Sequence, residues 1–141
     1  MHKCKGVSKQ GWIVAAALLV QWGGTLQAQT APPKLASAYG GNWTNLDQPA
    51  RGTMEFKIHK IAADGSFEGL YTRYAVFCSS NGAIPLKGKI EDRTVTLLPD
   101  FGSNSMCKDS KWTLELQPDG SLAGKGYSYF NLKAELTAST P

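Results

Sequence analysis

The sequence predicts an all-β domain, an eight-stranded antiparallel up-and-down barrel, and three observations carry that expectation. From Gly40 onward apolar and polar residues alternate with period two, run after run. Asp-Gly pairs and other tight-turn signals divide those runs at short intervals. No window of ten residues holds the i, i+3, i+4, i+7 apolar stripe of an amphipathic helix.

Residues 1–28 read as a signal peptide. Lys3, Lys5 and Lys9 make a basic start without acids, and Trp12 to Val20 form an apolar run of secretory length. Gln21 and Gly23-Gly24 stop that run well short of the roughly 20 residues a spanning helix needs. Thr25-Leu26-Gln27-Ala28 then offers a small residue before the cut, so no stable membrane span is expected after cleavage. Cys4 precedes the apolar run and leaves with it. Residues 29–38 have the composition of a flexible linker, with Pro32-Pro33 forbidding a helix. A single β-barrel domain is assigned to 39–138.

Strands are expected near 40–45, 52–61, 66–77, 84–90, 93–98, 111–117, 121–127 and 131–137. In the second, Met54, Phe56 and Ile58 alternate with Glu55, Lys57 and His59; in the sixth, Trp112, Leu114 and Leu116 alternate with Thr113, Glu115 and Gln117. Asp64-Gly65, Glu91-Asp92 and Asp119-Gly120 mark tight hairpins, while longer breaks fall at 46–51, 78–83 and 99–110. A meander with one apolar face can cover it by closing into a barrel, which also removes free edges. A β-sandwich satisfies the same alternation, but it usually needs longer crossings between sheets.

Cys78 and Cys107 are the two cysteines left after cleavage. In a small exported domain an even pair reads as a disulfide, so a secreted or periplasmic location is expected. Three of the 15 Lys and Arg leave with the signal peptide, so 12 remain against 11 Asp and Glu. That near-neutral balance, without basic clusters, excludes nucleic acid as a partner.

Two stretches carry a family resemblance, Gly41-Asn42-Trp43-Thr44-Asn45 and Asp64-Gly65-Ser66-Phe67-Glu68-Gly69-Leu70-Tyr71. They resemble the G-x-W-x-N strand and the D-G-x-x-x-G-x-Y hairpin of avidin-type barrels, over about residues 40–72. Lipocalins share the G-x-W element, so the resemblance implies a calycin-like barrel whose Trp43 plugs one end. It further implies that Asn45 and Tyr71 occupy positions which, in avidins, hydrogen-bond the ureido oxygen of biotin. Where that family has a small hydroxyl two residues after the Tyr, this chain has Arg73. The serine of the first loop and most later tryptophans are missing too. The resemblance therefore implies the fold and the mouth of the barrel, not biotin as ligand.

Catalytic chemistry finds few residues. His59 stands on the polar face of its strand, and Glu91-Asp92 sits in a turn. No G-x-S-x-G, H-E-x-x-H or phosphate-cradling loop is present. The expectation is a non-enzyme with no cofactor and no metal site. A small molecule or peptide is expected in the open end, touching Asn45, Tyr71, Arg73, Trp112 and Phe101. Phe101 and Met106 lie on a long loop, and loops of that length in small domains often bind. The alternative is a secreted or periplasmic protein-interaction module, such as a hydrolase inhibitor, acting through its loops and disulfide. The aromatic strand 66–77 suggests a third role, as a homo-oligomer contact. The shape of the interior separates the three: an open pocket, a filled barrel with exposed loops, or an apolar outer face on 66–77.

Overall fold

The computed structural model describes residues 34–140; the expected signal peptide and most of the linker lie outside the described residues. Eight strands follow one another: β1 (Ala38–Asn45), β2 (Arg51–Ile61), β3 (Ser66–Tyr74), β4 (Ile84–Glu91), β5 (Thr94–Pro99), β6 (Lys111–Leu116), β7 (Leu122–Ser128) and β8 (Phe130–Ala138). Each pairs antiparallel with the next, and β1 pairs antiparallel with β8 from Tyr39↔Ala138 to Asn45↔Leu132, closing the barrel. The sandwich alternative is thereby excluded.

Two boundaries differ from expectation by more than one residue, and most of the others by one. Ala38, placed at the end of the linker, is the first residue of β1. The third strand ends at Tyr74, not at 77. Its ladder to β4 stops at Tyr71↔Ile84, so the backbone of Arg73 needs other partners. The following loop supplies them: Ser80 N–H donates to the Arg73 carbonyl (3.0 Å), and the Arg73 N–H donates to Ser80 Oγ (2.9 Å). Satisfying those buried groups turns the chain away from the sheet.

Alternate residues of every strand fill the interior. Tyr39, Val95, Leu97, Trp112, Leu122 and Leu132 have no accessible surface, which also means that no water-sized void borders them. Three of the large rings fit because each faces a glycine on the neighbouring strand. Trp43 pairs with Gly52, Phe67 with Gly88 and Trp112 with Gly126, and in each case the ring occupies the space a Cβ would need. An eight-stranded barrel is just wide enough to be filled in this way.

Because consecutive strands alternate in direction, the connections sort to two ends. One end carries the tight turns between β2 and β3, β4 and β5, and β6 and β7. There Tyr39 stacks on Phe56 (5.2 Å), accepts a hydrogen bond from Ala36 N–H (3.0 Å) and donates to the Gly120 carbonyl (3.1 Å). Tyr39 thus seals this turn end. The other end gathers the three long connections, 46–50, 75–83 and 100–110, with the β7–β8 link at Tyr129.

Candidate functional site

The loop end is organised around one disulfide. Cys78 and Cys107, with Cα atoms 5.7 Å apart, join the β3–β4 loop to the β5–β6 loop. Ser110 Oγ donates to the Cys107 carbonyl (2.7 Å) and shares a buried hydrogen bond with Ser128 Oγ, which ties the same loop to the end of β7. The Asp47 carboxylate accepts from Asn131 N–H (2.9 Å), so the first loop is held to β8. These ties hold the loops to one another and to the strand ends.

Four of the five residues expected to touch a ligand meet here. Tyr71 and Arg73 point inward from consecutive inward positions of β3 and are buried. Trp112 Nε1 donates to the Tyr71 hydroxyl (3.1 Å), and Phe101 meets the Tyr71 ring edge-on with centroids 6.1 Å apart. Phe101 is half-buried and packs against the core, so it caps the mouth instead of standing free in solvent. Asn45 is engaged elsewhere: its Oδ1 accepts from the backbone N–H groups of Asp47 (2.8 Å) and Gln48 (3.0 Å), shaping the first loop as an Asx turn.

Burial sets the electrostatics of this group. It pushes the Tyr71 hydroxyl up to about 12, against the opposing influence of the Arg73 cation and the Trp112 N–H. Arg73 is only 2 % exposed, and burial lowers its pKa from the usual arginine value. The guanidinium lies over the Trp43 ring, 4.3 Å from its centroid, a cation–π contact that the sequence reading missed. Trp43 is buried near the mouth and donates from Nε1 to the Tyr74 carbonyl (3.2 Å). Among the described residues, Arg73 Nε and Nη1 have no hydrogen-bond partner. A buried cation without carboxylate or full hydrogen bonding costs of the order of several kcal/mol.

The clefts found among the described residues lie outside the barrel wall. A cleft of ≈ 570 Å³ lies on the outside of β3, β4 and β5, lined in part by Lys60, Glu68, Lys87 and Lys89. A second, of ≈ 420 Å³, lies outside β1, β7 and β8. Neither includes Asn45, Tyr71, Arg73, Phe101 or Trp112.

What the loop end does expose is apolar. Of nine large apolar side chains that stand exposed among the described residues, seven lie on or beside its loops: Leu46, Tyr74, Val76, Phe77, Met106, Tyr127 and Tyr129. Val76 is 91 % exposed, and Phe77 and Phe130 meet at 6.2 Å beside Tyr129. The outer face of β3, in contrast, carries Ser66, Glu68, a partly buried Leu70 and a buried Thr72 before Tyr74, and is not a broad apolar surface. Leu46 and Tyr74 could have been singled out from the sequence, since a meander sends the loops after β1, β3 and β5 to one end.

No protein-family model, curated protein or solved structure matches this chain. Among the described residues no helix is long and apolar enough to cross a membrane.

Proposed function

We propose that the protein is an exported, non-enzymatic binding module that recognises a protein partner with the loop end of its barrel. The observation that carries this reading is the pairing of a filled interior with an apolar rim. A small-molecule carrier needs a concave, accessible cavity; here the interior positions are occupied by Trp112, Tyr71, Phe56 and their neighbours. Exposed Tyr, Phe and Met side chains gathered on braced loops are what protein interfaces enrich. The disulfide supports export, because such bonds persist in oxidising compartments. The avidin-like stretches agree with this reading at the level of the barrel and leave biotin outside it.

The test compares the two ends of the molecule. The full chain, produced in its own host, is crosslinked and recovered from the extracytoplasmic fraction. A discrete protein crosslink is expected with the wild type and with Ile61→Asp, an exposed apolar position at the turn end. The double variant Val76→Asp/Phe77→Asp is expected to lose it. A crosslink retained equally by all three contradicts the proposal.

A further inference from the structure

We propose that Arg73 is the anchor of a carboxylate-binding site at the mouth of the barrel. The site goes beyond docking on the apolar rim and stands on separate observations. Arg73 is the penultimate residue of β3 and points inward, so it lies just beneath the loop end. The residue is 2 % exposed, and its Nε and Nη1 have no partner among the described residues.

The surroundings select the sign and kind of the missing partner. Both orphan atoms are N–H donors, so what completes them is an acceptor; a guanidinium in a low-dielectric setting favours an anionic one. None of the described carboxylates forms an ion pair with Arg73; Lys89–Glu91, far down the outer face, is the ion pair among those residues. The neighbours that do contact the site are Trp43, which covers the guanidinium by its ring, and Tyr71. The neutral Tyr71 hydroxyl accepts from Trp112 Nε1 and also interacts with the Arg73 side chain, without supplying a counter-charge or reaching Nε or Nη1. Aromatic walls around a cation suit a small planar anion with an apolar attachment. A carboxylate has that form, and arginine matches its geometry better than lysine does.

Access follows from what closes the mouth. Ala50, Ala75 and Phe101 are partly buried, pack on the core and are carried by loops, not by strands. A carboxylate enters by displacing loop side chains, with the barrel wall unmoved. The carboxylate belongs either to a free small acid or to an acidic side chain set among apolar residues of a protein.

The chain has three arginines, Arg51, Arg73 and Arg93, so their Nε–H groups can be followed singly by NMR. Arg93 serves as an internal control, since its Nε already donates to the Leu116 carbonyl (2.9 Å). The purified protein is titrated with sodium acetate, with sodium chloride at equal ionic strength, and with a short peptide holding one glutamate between leucines. Acetate is expected to shift the Arg73 Nε–H saturably and leave Arg93 in place, while chloride shifts neither. Saturation by the peptide at about tenfold lower concentration than acetate assigns the carboxylate to a protein; equal concentrations assign it to a free acid. Arg73→Met is expected to abolish acetate-dependent thermal stabilisation, and Arg73→Lys to recover only part of it. An Arg73 signal that acetate leaves unmoved, or that moves in step with Arg51 and Arg93, overturns the site even if Arg73→Met does not fold.

Discussion

At the scale of single residues, the molecule combines side chains that fill space with side chains that burial has made expensive. Tyr71 belongs to the second kind. Its hydroxyl titrates near 10 in an unfolded chain and about 12 when folded, so the folded state holds this proton more tightly. The stability this contributes is intact below pH 10 and is lost between pH 10 and 12, amounting to roughly 2–3 kcal/mol at 1.36 kcal/mol per unit. Urea midpoints measured across that range are expected to fall more steeply for the wild type than for Tyr71→Phe. Gly126 belongs to the first kind. Gly126→Ala forces a methyl into the buried Trp112 ring and is expected to lower stability by about 1–3 kcal/mol. Gly40→Ala, where the nearest atom to a new Cβ is 3.8 Å away, is expected to leave the urea midpoint almost unchanged. Sequence pattern revealed that Tyr71 and Arg73 share a face. It could not reveal that Arg73 is covered, because that depends on Trp43, thirty residues away in the chain, and on the loop that folds back at Ser80.

Among the elements, the turns and the disulfide divide the labour. The hairpins at Asp64-Gly65 and Asp119-Gly120 use the same chemistry: the Asp Oδ1 accepts from the N–H and hydroxyl of the Ser two residues on. Those hydrogen bonds hold both carboxyls below the usual range. What they contribute is therefore present above the ordinary carboxylate pKa and fades as the pH falls through the lowered one. Such local signals are legible in a sequence because donor and acceptor are close neighbours in the chain, and these two turns lie where they were expected. The β4–β5 turn instead falls at Asp92-Arg93, one residue beyond the expected Glu91-Asp92. The loop end depends instead on contacts between distant segments. Cys78 closes a 29-residue span to Cys107, which in the chain-entropy model is worth roughly 3–4 kcal/mol. The double variant Cys78→Ala/Cys107→Ala is expected to show that loss in denaturant unfolding while keeping the wild-type far-ultraviolet spectrum. The end of β3 was misjudged for the same reason. Ala75-Val76-Phe77 has strand composition, but no partner strand reaches it, and Cys78 adopts a left-handed backbone (φ 57°) beyond it.

For the whole molecule, period-two alternation was enough to foresee eight strands, because closing a short meander leaves few other ways to bury one face of each. It was not enough to say whether the closed barrel would be hollow. That depends on which residues oppose which, and here the register sets Trp43, Phe67 and Trp112 against glycines, so the rings lie flat and fill the centre. With the interior occupied, the proposed binding surface is the loop end, whose apolar rim is braced from beneath by the disulfide. Native mass spectrometry of the protein purified from its own compartment tests this account most directly. It predicts the chain in complex with another protein, a complex that Val76→Asp/Phe77→Asp abolishes. A tightly held small molecule of a few hundred daltons, retained by that variant and with no protein partner, would contradict it.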